Sequence, residues 1–243
     1  MDLTYPLFEN KINCYFQEYR ATNFMTTETE LTDLDSPSTK RKRAKRMSPS
    51  ARREQVVSGA IQVCAEKGIA GTSHALVAEQ VGVSTPTIFL YLPSRKTLID
   101  TVLEKVEGYC TELVDEASSS EISAHGKLLS ILRAWAVAID TDTDYIRVWL
   151  SWSAAVHEET WPKYVAFQDR LLARFERIIS DGKSSGEVLE AVNPAWASHQ
   201  VYGSGNMIAQ MKFRGVENQE IDNFLKQLIT SMIGNIRTLG VMK

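Results

Sequence analysis

Gly82-Val83-Ser84-Thr85-Pro86-Thr87-Ile88-Phe89-Leu90-Tyr91-Leu92-Pro93 is the stretch whose reading decides the fold. Gly82 accepts positive φ, Ser84 is a helix-capping residue, Pro86 falls in a first turn where a missing N–H costs nothing, and Pro93 stops the helix after about two turns. A helix that short is not stable alone and must be held by its neighbours. Ile88 and Leu92, four apart, form its inner side, expected to pack on Val77, Val81 and Val83. Thr85, Thr87, Leu90 and Tyr91 are left outward, and Phe89 suits either packing or outward contact. This is the pattern of the second helix of a helix-turn-helix.

The flanking sequence supplies the rest of that motif. Ser48-Pro49 opens a helix with Val56, Val57, Ala60, Ile61 and Cys64 on a 3.6-residue period, and Gly68 closes it. Thr72 or Ser73 caps a second, short helix through Val81, with Leu76, Val77, Ala78 and Val81 inward. Ser94 caps a fourth helix striped by Leu98, Ile99, Val102, Leu103 and Val106. Beyond it, helical patterns cover about 121–139, 143–157, 161–181, 194–213 and 218–238, and no stretch alternates as a strand. The expected fold is all-α. A helix-turn-helix DNA-binding domain spans 47–106, with the motif itself at about 73–92, and a helical regulatory and dimerisation domain spans 107–240. Residues 1–46 read as a disordered extension with a basic arm at 40–46.

The last helical pattern carries Ile221, Phe224, Leu225, Leu228, Ile229, Met232, Ile233 and Ile236, a stripe wide enough for its own core and a partner subunit. Phe224, Leu228, Met232 and Ile236 are the candidates for a dimer face; a wholly intramolecular core helix is the other reading.

Composition narrows the function classes. The chain has 243 residues, 44% apolar, with a net charge of −3, as for one or two globular domains. The longest apolar run, Ile131 to Ile139, is interrupted by Arg133, so no membrane span is expected. The N-terminus lacks a secretory pattern, and the cytoplasm is the expected location. Cys14, Cys64 and Cys110 show no Cys-x-x-Cys spacing and read as packing residues. Residues 40–53 hold eight Lys and Arg and no acid; removing that +8 from the net −3 leaves −11 on the rest of the chain. An acidic body with one dense basic segment binds a polyanion locally while its bulk is repelled. Residues 1–24 are apolar enough to have two readings, a docking segment or sequence upstream of a translation start at Met25, the second being favoured.

Catalytic and metal chemistry find no support. His157-Glu158-Glu159-Thr160-Trp161 begins like a zinc-protease motif but places Trp161 where the second histidine must stand. His74, His125 and His199 are scattered, and His74 reads as a cap-region or DNA-proximal group. Gly203-Ser204-Gly205 is followed by Ile208 instead of a third glycine and fits close helix packing. No cofactor, metal site or enzymatic activity is expected.

Taken in order, the basic arm, first helix, Gly68, short helix, Val81-Gly82-Val83-Ser84, two-turn helix ending Tyr91-Leu92-Pro93-Ser94-Arg95 and long amphipathic helix resemble the TetR family of regulators over Ser48 to Val106. Within it, the chain is most similar to the quorum-sensing master regulators of vibrios, the LuxR and HapR group. That similarity rests on Gly68-Ile69-Ala70, His74-Ala75, Thr87 to Tyr91, Pro93-Ser94-Arg95, Val148 to Ala154 and Trp161-Pro162. The resemblance implies a homodimer on near-palindromic double-stranded DNA, with regulation by activation and repression. The alternative is a ligand-released local repressor of an efflux or metabolic operon.

Thr85, Pro86 and Leu90 are then assigned to the groove floor, with Thr87, Tyr91, Arg95 and Lys96 nearer phosphates. The arm, with Arg41, Lys42, Arg43, Lys45 and Arg46, is assigned to an adjacent minor groove. The resemblance also implies a pocket for an unidentified small-molecule effector. Trp135, Trp149, Trp152, Phe167 and Met207 are its candidate liners, with simple aromatic core as the other reading. One departure bears on specificity: the vibrio group usually has Asn-Tyr-Phe where this chain has Leu90-Tyr91-Leu92. Asn pairs with an adenine edge, whereas Leu90 offers only apolar contact, for example to a thymine methyl.

Overall fold

The computed structural model describes residues 47–120 and 122–234. The arm residues Arg41, Lys42, Arg43, Lys45 and Arg46, together with Cys14 and Ile236, lie outside the described residues.

Helix α1 (Pro49–Gly71) starts where Ser48 Oγ accepts the Ala51 N–H at 3.1 Å. Gly68, at φ 73° and ψ 170°, breaks it, and one further turn runs on to Gly71. Ser73, not Thr72, caps α2 (His74–Val81) by accepting from Leu76 N–H, while the Thr72 hydroxyl donates to Gly68 O at 2.7 Å and seals the end of α1. Gly82 adopts the left-handed conformation, φ 72° and ψ 37°, and Val83 N–H reaches back to Ala78 O at 3.0 Å. That closure satisfies the last carbonyls of α2 and turns the chain into α3 (Thr85–Tyr91). Ser84 precedes α3 but does not cap it with its side chain: its hydroxyl is bonded to that of Thr87 at 2.9 Å. Ser94 Oγ caps α4 (Arg95–Ala117) through Thr97 N–H at 3.0 Å.

The remaining helices are α5 (Ala124–Thr141), α6 (Thr143–Ser153), α7 (Trp161–Ser184), α8 (Pro194–Phe213) and α9 (Asn218–Ile233). No strand occurs among the described residues. Helix α6 stops at Ser153, short of the expected 157, because Val156, His157, Glu158 and Glu159 are exposed and offer nothing to extend its buried stripe. Residues 154–160 instead fold back, and Trp152 Nε1–H donates to Thr160 O at 3.2 Å. Helix α4 runs through the expected 106/107 boundary to Ala117.

One continuous core joins Val56 to Ile233. Helix α1 packs on α2 and α6, α7 on α8, and α5 on α8 and α9. An ionic ladder then lines the outside of α4 and α7. Lys163 reaches Asp100 at 3.0 Å and Glu104 at 3.3 Å, Arg170 meets Glu107, and Arg174 grips both oxygens of Asp115 at 2.7 and 3.1 Å.

Asp100 accepts from Lys96 as well as Lys163, and these bonds hold its carboxyl below the usual carboxylate range against the opposing pull of partial burial. A carboxylate with a lowered folded pKa adds stability that is present above its unfolded value of about 4 and lost as pH falls through the folded one. Urea unfolding at neutral pH and near pH 3 should therefore show acid destabilisation that is smaller in Asp100→Asn. Because Lys96 is at the surface, that substitution should cost about 1 kcal/mol or less at neutral pH.

Candidate nucleic-acid interface

Helix α3 is held from beneath. Ile88 and Leu92 are wholly buried, set on the buried Val77 and the half-buried Val81 and Val83. Its other side faces solvent: Leu90 is 81% exposed and Phe89 47%. Pro86 is exposed too, Thr85 and Thr87 are half-buried, and Tyr91 is half-buried against the core. Among the sequence candidates, Thr85, Pro86, Thr87, Leu90 and Tyr91 thus share one seven-residue helix. Arg95 and Lys96 follow at the start of α4.

The charged candidates are already engaged. Arg95 Nη2 donates to Ile69 O at 3.1 Å and Ala70 O at 3.0 Å, tying the start of α4 to the last turn of α1. Lys96 Nζ lies 2.6 Å from Asp100 on an 83% exposed side chain. Sequence reasoning did not place two further cations at the start of α1. Arg53 is exposed, and Arg52 is half-buried and donates to Gln55 Oε1 at 2.7 Å. The charge run at 40–53 was their signal. His74 is a different case: it is buried under α3, bonded at 2.8 Å to Leu92 O, eighteen residues away, a pairing no local pattern announces.

In the helical body, Trp135 and Trp149 meet edge-on, with ring centroids 4.8 Å apart, and line a cavity of about 40 Å³ with Cys110, Leu171, Phe175 and Tyr202. Tyr202 carries the polar group of that wall: its hydroxyl accepts from Trp149 Nε1–H at 3.3 Å and pairs with Tyr164 at 2.8 Å. Trp135 Nε1–H donates to Gly205 O at 3.1 Å, and a Cβ on Gly205 would stand 3.3 Å from that nitrogen. Gly205 is thus a point of close approach between helices, whereas Gly203 is exposed with open space beside it, so the close packing expected of the Gly203-Ser204-Gly205 run holds at its last residue only. Burial pushes the Cys110 thiol well above its ordinary range, so it packs as an inert wall. Such a void has room for a few waters, whereas pockets for drug-sized ligands span roughly 300–1,000 Å³.

The other three pocket candidates lie elsewhere. Trp152 and Phe167 stack in parallel, 5.6 Å apart, in a fully buried pair that does not line the void. Met207 is 49% exposed on α8, on the same side as Trp196 and Gly203. On α9, Ile221, Leu225, Ile229 and Ile233 are buried, while Phe224, Leu228 and Met232 flank them half-buried. No group of three or more potential metal ligands occurs among the described residues, and no described helix is long and apolar enough to cross a membrane.

Comparison with known proteins places this arrangement. A family described as bacterial regulatory proteins, tetR family, matches residues 56–102, and one described as tetracyclin repressor-like, C-terminal domain, matches residues 121–210. The HTH-type transcriptional regulator LuxR of Vibrio harveyi is 28% identical over 180 residues, 74% of this chain and 88% of that protein. The fatty acid metabolism regulator protein of Bacillus subtilis is 23% identical over 150 residues, 62% of this chain and 77% of that protein. Among solved structures, a TetR-like regulator from Rhodococcus sp. RHA1 superposes with a TM-score of 0.64 at 16% identity, covering 81% of this chain and 100% of its own. FadR of Bacillus subtilis in complex with stearoyl-CoA gives 0.64 at 20% identity, covering 74% and 98%.

The different placements of the pocket candidates have separable consequences. Trp152→Ala should cost about 3–5 kcal/mol in urea unfolding by emptying a packed stack. Met207→Ala should leave subunit stability within about 0.5 kcal/mol.

Proposed function

From the premise that the chain belongs to the TetR family of transcriptional regulators, we propose that it is a homodimer reading near-palindromic duplex DNA through α3, in a quorum-sensing role. The observation that carries the DNA-reading part is the division of α3 itself: Ile88 and Leu92 are entirely buried and Leu90 is 81% exposed. A helix anchored that firmly on one side presents its other side as a rigid surface the width of a major groove. In this reading residues 47–106 form the DNA-binding domain and 107–240 the regulatory and dimerisation domain. Thr85, Pro86 and Leu90 approach base edges. Thr87, Tyr91, Arg95 and Lys96 lie near phosphates, joined by Arg52 and Arg53. The arm, Lys40 to Arg46, follows the adjacent minor groove, where narrow A·T segments concentrate negative potential.

The dimer face is assigned to α8 and α9. Met207 and Trp196 are exposed on one side of α8, and Phe224, Leu228 and Met232 are half-buried on α9, with Ile236 the next residue at that four-residue spacing in the sequence. Two subunits joined there set their α3 helices about 34 Å apart, one turn of duplex. The quorum-sensing part is supported by the extent of the LuxR match, which runs well beyond the helix-turn-helix. A second reading, release of a local repressor by a ligand, is supported by the void beside Trp135 and Trp149. An effector there must part the helices to fit, which is a route from occupancy to α3 spacing.

With about eight phosphate contacts per dimer, log affinity should fall against log salt with a slope near −7. Deleting residues 1–46 should lower affinity for every duplex and flatten that slope; an unchanged slope would remove the arm from the interface. Leu90→Asn should change the bases recovered from a randomised-duplex selection more than it changes overall affinity. Leu228→Asp should shift the protein from dimer to monomer in sedimentation and abolish tight binding to the two-half-site duplex.

A further inference from the structure

The apolar contacts beneath α3 fix its depth but are non-directional, so they leave rotation about its own axis weakly determined. His74, on α2, supplies the missing direction. Its imidazole lies flat against the Phe89 ring, with centroids 4.1 Å apart and planes 7° from parallel. Its Nε2 stands 2.8 Å from Leu92 O. A carbonyl only accepts, so Nε2 carries the hydrogen and donates. Leu92 is the C-cap of α3, and its own backbone departs from helical geometry at φ −131° and ψ 80°. The imidazole therefore satisfies an end carbonyl that lacks an intrahelical partner. It is only 8% exposed, so it is itself a fixed point.

We propose that His74 is a specificity-determining positioning residue: it sets the roll of α3 through one hydrogen bond and one ring stack, without touching DNA. Phe89 directly precedes Leu90, so whatever holds the Phe89 ring aims its neighbour. On a helix about 5–6 Å in radius, a roll of about 10° moves a side-chain tip by about 1 Å. A short group such as Leu90 or Thr85 loses a base contact at that displacement. Flexible Lys and Arg side chains follow the phosphates regardless. The proposal rests on the reading of α3 as the base-contacting element.

The test uses the full chain and two duplexes, one recovered by randomised-site selection and one with its sequence scrambled. His74→Phe keeps a flat ring but no donor, His74→Gln keeps a donor but no ring, and Phe89→Leu removes the stack from a surface position. Each should lower the ratio of selected to scrambled affinity by about tenfold, leaving scrambled affinity and salt slope within about twofold. His74→Gln combined with Phe89→Leu should lose little more than either alone, because both break the same contact. Equal loss on both duplexes, tracking a lower unfolding midpoint, would show a role in stability only and overturn the proposal. Additive losses in the double variant would overturn it as well, by showing that the two rings act independently. If the unsubstituted protein does not discriminate between the duplexes, the base-contacting reading of α3 itself falls, a failure distinct from that of His74.

Discussion

Burial of Ile88 and Leu92 beneath a seven-residue helix is the constraint on which the rest of the structure depends. Two turns of helix have too few internal hydrogen bonds to persist in water, so their order is borrowed from the core beneath. The neighbouring elements each contribute to that loan. Helix α2 and the left-handed Gly82 bring Val77 and Val83 into one core with Ile88 and Leu92, and α1 packs on α2 and on α3. Pro93 ends the helix where a third turn would carry it away from its supports. An exposed surface results whose rigidity comes from packing and whose chemistry sits on the residues packing does not use.

The same economy ties the DNA-binding end to the body. Helix α4 belongs to both, and Arg95 at its start holds the last turn of α1 while its outer side is zipped to α7 by paired charges. Asp100 lies at the junction, shared between the exposed Lys96 at the start of α4 and Lys163 on α7. If a phosphate draws Lys96 away, Asp100 still has Lys163, so the exchange strands no partly buried carboxylate. Helix α1 packs directly on α6, whose Trp149 lines the small void beside Trp135. Helix α1 in turn packs on α2, so the wall of that void and the helix-turn-helix share one core.

Much of this was legible in the sequence because it is local. Caps, glycine turns and the 3.6-residue period placed α8 at 194–213 and put Ile88 and Leu92 inward from residue types alone. Two kinds of feature were not legible. One is competition among near-equivalent polar groups: Ser84 bonds a hydroxyl where a backbone amide was expected, and Ser73 caps where Thr72 was equally eligible. The other is long-range pairing. The His74 to Leu92 bond, the Trp152 and Phe167 stack and the outward turn of Met207 depend on which helix faces which, and periodicity says only that an aromatic residue is buried, not beside what.

The central claim is that the outer side of α3 enters a major groove, once per subunit. Methylation interference at guanine N7 on a selected duplex, read beside a hydroxyl-radical footprint, tests it most directly. Two zones of major-groove interference are expected, their centres about one helical turn apart and each flanked by backbone protection. Backbone protection with no major-groove interference on guanine-containing half-sites would contradict it.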